Sequence, residues 1–133
     1  MAVIGLGIDL VDIDRAERML ARHGERALRR LLFPAEHAYV VGMVHPARHL
    51  AVRLAAKEAV FKAFQVLPGS TGIGWRDLEV LRDEEGRPTV ALHGRARAVA
   101  KLAGGLRVHL SLSHTDRTAG AVAVLERDPS IPE

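Results

Sequence analysis

The chain opens on "AVIGLGIDLV", an apolar run interrupted only by two glycines and Asp9, which reads as a buried strand. Behind it the apolar positions change to helical spacing. Ala16, Met19, Leu20, Ala27, Leu28 and Leu31 make one stripe of a helix expected to run to about Leu32. Asp12 or Asp14 would start that helix, with Asp14 and Glu17 spaced as a capping box. "FPAEHAYVVGM" predicts a short helix with Pro34 in its first turn, and a long helix follows from about Pro46 to Val66.

"PGSTGIG" then breaks the chain, and "WRDLEVLRDEEGRPTVALHG" carries two extended runs around a turn, a hairpin signal. "GRARAVAKLAGG" predicts a helix that closes at Gly104 and Gly105. In "RVHLSLSHTDRTAGAVAVL", Val108, Leu110 and Leu112 alternate with His109, Ser111 and Ser113, and residues 119–125 supply a second apolar strand. Mixed helices and strands joined by hairpins predict an α+β fold: a largely antiparallel sheet with a long central helix. One domain is expected over residues 1–126, with 127–133 as a flexible tail.

Composition narrows the chemistry. With 133 residues, 48% of them hydrophobic, the chain can bury one core. It has no apolar run near the roughly 20 residues of a membrane helix, and its first residues lack the order of a signal peptide, so a cytoplasmic protein is expected. The absence of cysteine excludes disulfides, thiolate metal sites and a cysteine nucleophile. The formal charge is +3, yet Arg15, Arg18, Arg22, Arg26, Arg29 and Arg30 crowd one stretch. Such a block suits an acidic protein, nucleic acid or plain solvation; with one Trp, one Tyr and three Phe, the chain is poor in the stacking groups of single-strand binders.

Three places carry candidate chemistry. Asp12 and Asp14 are explained by a helix start, but Asp9 falls inside the strand, where an ionised carboxylate needs a cation: a buried basic residue or a metal ion. "GLGIDL" lacks the third glycine of a dinucleotide fingerprint, so Gly5 and Gly7 serve instead to let something approach the backbone beside Asp9. In "RLAAKEAVFKAF", Glu58 and Lys62 share a helix face low in bulk, with Lys57 flanking them. Together with Asp9 they would suit Mg²⁺ and phosphate. In "HLSLSH", Ser111, Ser113 and His114 gather at a strand end, where phosphate contact is easier than a hydrolase triad, since no nucleophile elbow is present. His45 and His49 are read as helix-start residues rather than a zinc pair.

"GLGIDLVDIDR", "RLAAKEAVFKAF", "WRDLEVLRDEEGRP" and "VHLSLSHTDRTAGAVAV", in this order, resemble the holo-acyl-carrier-protein synthases, the small 4′-phosphopantetheinyl transferases. The resemblance implies transfer of 4′-phosphopantetheine from coenzyme A to a serine of an apo acyl carrier protein, with release of 3′,5′-ADP, in fatty acid or polyketide biosynthesis. It implies Mg²⁺ held by Asp9 and Glu58, and Lys62 beside the transferring phosphate. Coenzyme contacts are implied from Lys57, Arg53, Ser113 and His114. The serine proton could pass to Glu58, Asp9 or a water on the metal. Arg15, Met19 and Arg22 match the grip on an acidic carrier, which gives the arginine block a protein partner rather than nucleic acid or membrane. Homotrimers with sites at subunit interfaces are also implied, the carboxylates of one subunit facing the S-x-S-H strand of the next. Two departures stand out. "KAFQVLPGSTGIGW" puts Gln65 where the family turns on glycine, and "VHPARH" replaces the usual basic residues, leaving Arg48, His49 and Arg53 for the 3′-phosphate.

Overall fold

The computed structural model describes residues 2–131. Strand β1 (Ala2–Asp12) leads into helices α1 (Ile13–His23), α2 (Glu25–Leu31), α3 (Pro34–Val41) and the long α4 (Pro46–Phe64). The hairpin β2 (Leu78–Arg82) and β3 (Pro88–Leu92), helix α5 (Gly94–Leu102) and the hairpin β4 (Leu106–His114) and β5 (Thr118–Arg127) complete the order. Strands β1, β5 and β4 form one antiparallel sheet in that spatial order, and β2 with β3 a second. The α+β expectation holds, with α4 lying across the three-stranded sheet as the spine of the core. Leu50, Leu54, Ala55, Ala59, Val60, Ala63 and Phe64 are all fully buried or nearly so.

The expected helix to Leu32 is two helices. Gly24 adopts φ 50° and its N–H returns to the Leu20 carbonyl, ending α1 with this single residue between it and α2. Asp12 occupies the cap position but its side chain caps nothing; the first free amide, that of Ile13, is taken by the Arg117 carbonyl at 2.8 Å in the turn between β4 and β5. Asp14 sits in the first turn, so the Asp14–Glu17 capping box does not form.

Strand β1 is buried on one face only. Gly5, Gly7 and Val11 face α4, whereas Leu6, Ile8 and Leu10 are 67%, 63% and 69% exposed. Register pairs these three with Val124, Val122 and Gly120 of β5, so the sheet presents an open apolar face opposite the helix. Within the segment expected as a tail, Arg127 ends β5, and Asp128 is buried, accepting from Arg107 Nη2 at 3.0 Å and from Ser130 Oγ at 2.6 Å. Its last residues, 132 and 133, lie outside those described.

Candidate active site

The first site grows from a seam with no side chains in it. A Cβ on Gly7 would stand 1.9 Å from the Ala59 carbonyl oxygen, and one on Gly5 2.1 Å from that of Ala63. Strand β1 therefore rides backbone to backbone on α4. The next inward-facing position along the strand is Asp9, which this contact sets beside Glu58 and Lys62. Lys62 Nζ donates to Asp9 Oδ1 at 2.8 Å and to the Ile8 carbonyl at 2.9 Å. Arg15 Nη2, from α1, stands 3.7 Å from Glu58 Oε1.

The electrostatics of this cluster are those of two carboxylates wanting one more cation. Asp9 Oδ2 is buried with no donor of its own. Burial alone would raise the Asp9 carboxyl, but the adjacent Glu58, a hydrogen-bond donor to it once protonated, the hydrogen bond from Lys62 and the positive charges of Lys62 and Arg15 hold it below the usual carboxylate range. Glu58 takes the opposite course: burial first, then the hydrogen bond and charge of Asp9, push it up to about 7. An oxygen pair of this kind fits a hard divalent ion such as Mg²⁺, which binds through one or two carboxylates and completes its shell with water and phosphate. Among the described residues no third His, Asp or Glu joins them, so the remaining ligands must come from solvent and substrate.

A second cluster lies on the other side of α4. Arg48, His49, Arg53, Arg82, Ser113 and His114 border a cavity of about 130 Å³ that no carboxylate lines. Tyr39 stacks its ring under the Arg53 guanidinium, 4.6 Å from ring centroid to Cζ, and meets His49 edge-on at 5.6 Å. Burial, then the charges of Arg53 and Arg48, hold His49 below its ordinary range, so it stays neutral at pH 7. Three guanidinium groups around so small a hollow suit a phosphate dianion. The three expected residues, Arg48, His49 and Arg53, are thus brought together, and Arg82 and Tyr39 join them without having been anticipated. Ser113 and His114 both border the cavity, but not by converging on one face: register puts Ser111 and Ser113 on the open side of the sheet and His114 on the helix side.

The structure places Lys57 elsewhere than beside a coenzyme. Its side chain is 0% exposed and all three ammonium donors are engaged, to Glu36 Oε1 at 2.6 Å, the Leu31 carbonyl at 2.8 Å and the Trp75 carbonyl at 2.9 Å. One residue's rotation from Glu58, about 100° around the helix, turns it into the core. Lys57 is a structural cation, with no donor left for a ligand.

On α1, Arg15, Arg18 and Arg22 are exposed while Met19 is half-buried. Met19 and Trp75 line a groove of about 330 Å³ whose rim carries Arg26 and Arg30, so the arginine block surrounds an apolar floor. A larger hollow of about 550 Å³ beside α2 and α3, lined in part by Glu25, Arg29, His37 and Arg76, shares no residue with either cluster beside α4.

The structure thus sets a carboxylate pair with one unpartnered buried oxygen and a lysine beside it on one side of α4, and a cluster of guanidinium and imidazole groups on the other. Comparison with known proteins gives the class: residues 5–122 match the model of the 4′-phosphopantetheinyl transferase superfamily, and the chain belongs to it. Within that class it is similar to the holo-[acyl-carrier-protein] synthase of Alkalilimnicola ehrlichii, 48% identical over 125 residues, which span 93% of this chain and 97% of the relative. Among solved structures it resembles the holo-[acyl-carrier-protein] synthase of Neisseria meningitidis, with a TM-score of 0.84, 28% identity, and coverage of 95% of this chain and 100% of that one. It also resembles the Bacillus anthracis holo-(acyl-carrier-protein) synthase solved in complex with coenzyme A (3′,5′-ADP), with a TM-score of 0.76, 30% identity, and coverage of 95% and 98%.

Proposed function

We propose that the protein acts as a holo-acyl-carrier-protein synthase, moving 4′-phosphopantetheine from coenzyme A to a serine of an apo carrier protein. The observation that carries the site assignment is the Asp9–Glu58 pair, with one buried carboxylate oxygen unpartnered and Lys62 alongside. The serine Oγ attacks the β-phosphorus of coenzyme A and a new P–O bond forms; the P–O bond to 3′,5′-ADP breaks with its electron pair leaving on the 3′,5′-ADP phosphate oxygen, and the serine proton passes to the Glu58 or Asp9 carboxylate. Asp9 and Glu58 would hold a divalent cation, which when bound supplies positive charge against the pyrophosphate oxygens. Lys62, 47% exposed and tethered to Asp9, has one N–H left to donate to a phosphoryl oxygen. Arg53, Arg48 and His114, with Ser113, would grip the 3′-phosphate.

Assembly as a homotrimer, with sites between subunits, is part of the same reading. Supporting it is the open apolar face on which Leu6, Ile8, Leu10 and Val122 lie side by side and exposed, the kind of contiguous apolar surface that marks an interaction site. The position of the two clusters also supports it. Strands β1 and β4 are opposite edges of the sheet, about 10 Å apart across β5, with α4 between the clusters. A coenzyme engaging both is accommodated when one copy's β1 side meets another copy's β4 side. Arg22, Met19 and the rest of the α1 face would then meet the acidic carrier. No helix among the described residues is long and apolar enough to cross a membrane, and we place the reaction in the cytoplasm.

The decisive assay incubates the protein with coenzyme A, Mg²⁺ and an apo carrier protein and reads the carrier by mass spectrometry. The expected result is a phosphopantetheine adduct that disappears in chelator and in Asp9→Ala or Glu58→Ala protein of native secondary structure. A carrier that stays unmodified with active wild-type folding, or variants as fast as wild type, would remove the assignment.

A further inference from the structure

Arg53 is the least free of the cavity's arginines. Its side chain is 12% exposed, and burial lowers its affinity for its own proton and charge. Tyr39 packs on one side and the His49 carbonyl accepts weakly from Nη1 at 3.5 Å. Neither is an anion. Arg82 repels it, and Arg48 borders the same cavity. Left to these forces, a flexible guanidinium would turn out to solvent.

One carboxylate opposes that. Glu36, in the first turn of α3, is fully buried, and its Oε2 stands 3.8 Å from Arg53 Nε. Among the described residues it is the only acid within salt-bridge reach of Arg53. Glu36 is also unable to move. Its Oε1 accepts from the Phe33 amide at 2.9 Å and from Lys57 Nζ at 2.6 Å, and its Oε2 accepts from the Val80 amide at 3.0 Å. Three elements, α3, α4 and β2, thus clamp one carboxylate at a fixed point behind the cavity wall.

We infer that Glu36 is a positioning residue for coenzyme recognition: it holds the Arg53 guanidinium at the cavity and thereby sets the preference for a coenzyme that carries a 3′-phosphate. This rests on the cavity being the 3′-phosphate site. Glu36 never touches the ligand; it acts through Arg53. Lys57 is part of the same device, because its ammonium fixes the Oε1 end and leaves Oε2 to face the arginine. A glutamine at position 36 has one amide nitrogen, which must be set against either the Lys57 ammonium or the Val80 N–H, and it carries no charge to offset Arg53.

The test compares coenzyme A with dephospho-coenzyme A, which keeps the pyrophosphate and lacks the 3′-phosphate. The quantity read is the ratio of their kcat/KM values. For Glu36→Gln that ratio should fall about tenfold from wild type, through KM for coenzyme A, as loss of one charge-assisted contact predicts. A purely structural lesion lowers Tm and slows both substrates alike, leaving the ratio where it was; that outcome overturns the inference. Arg53→Gln separates the two readings. If it keeps the wild-type ratio, the cavity is not the 3′-phosphate site and the functional assignment of the cluster fails. If Arg53→Gln loses the ratio and Glu36→Gln retains it, only the role of Glu36 fails. In the Arg53→Gln background, adding Glu36→Gln should leave the ratio unchanged. Should Glu36→Gln not fold, Glu36→Asp keeps the charge but withdraws it from the arginine, and an unaltered ratio in folded Glu36→Asp protein overturns the inference equally.

Discussion

Replacing Gly7 by alanine should separate stability from catalysis in a measurable way. The added Cβ lands 1.9 Å from the Ala59 carbonyl oxygen, whereas ordinary contact begins at 3.4 Å. The difference of 3.4 and 1.9 Å is about 1.5 Å, and the obstacle is helix backbone, so strand and helix must part. Asp9 lies two residues on and moves with the strand. Its 2.8 Å bond to Lys62 cannot survive such a shift, nor could the grip proposed for Asp9 and Glu58 on an ion bound at about 2.1 Å. Displacement of a reacting group by about 1 Å costs on the order of 100-fold in rate, so transfer should fall by at least that. Overpacking of this kind costs about 1 to 3 kcal/mol, a Tm loss of roughly 4 °C per kcal/mol. Gly5→Ala is the control: its Cβ meets the Ala63 carbonyl at 2.1 Å, four residues from Asp9, so it should destabilise similarly but slow transfer less. Both variants are followed by thermal melting and by carrier modification with Mg²⁺ and coenzyme A saturating. Gly7→Ala protein that melts with wild type and transfers within about threefold of it would refute the seam as the device that sets Asp9 against α4.

Four further outcomes are expected. Lys57→Met strands the Glu36 carboxylate and two carbonyls in the core and should cost about 3 to 5 kcal/mol in chemical denaturation, whereas a loss under 1 kcal/mol would mean the ion pair is not buried as described. In chelator, Glu58 binds its proton more tightly folded, at about 7, than its ordinary value of 4.5, so its contribution is fully present below 4.5 and is lost as pH rises to 7; Asp9, held low, acts in the opposite sense below that window. Tm should therefore fall across pH 4.5 to 7 more in wild type than in Glu58→Gln, and identical profiles would count against the shift. Arg22→Glu should raise the carrier KM and flatten its salt dependence with little effect on coenzyme A, and unchanged carrier kinetics would return α1 to a solvated face. Glu58→Ala and His114→Ala chains refolded together in equal amounts should regain roughly a quarter of wild-type sites when assayed below KM, and activity no better than the average of the separate mutants, in rings shown to be mixed, would place the site within one subunit.

The sequence made legible whatever depends on local period. The hairpins, α4 and the alternation in β4 follow from spacing alone, and so does the oddity of Asp9, because a lone acid in an apolar strand demands a partner. What escaped was set by distance along the chain. Lys57 reads as a surface neighbour of Glu58 until Glu36, 21 residues earlier, is seen to neutralise it in the core. Arg82 reaches the cavity only through the β2–β3 hairpin, which sequence spacing cannot aim. The open face of β1 was hidden by its own composition: Leu6, Ile8 and Leu10 are as apolar as the residues a core would use, so period-2 alternation is erased. The break at Gly24 shows the converse, a local signal overridden in the reading by an apolar stripe that continues across it.

In the homotrimer proposed above, the same apolar face on β1 and β5 would tie activity to abundance. Leu6 at 67%, Ile8 at 63% and Leu10 at 69% exposure would be covered on assembly, so under that proposal a scarce chain would stay alone and incomplete while a plentiful one would find its partners. Output per molecule would then rise with the number of molecules, expression level would itself control how quickly carriers are primed, and the diluted protein would be a poor witness to the concentrated one.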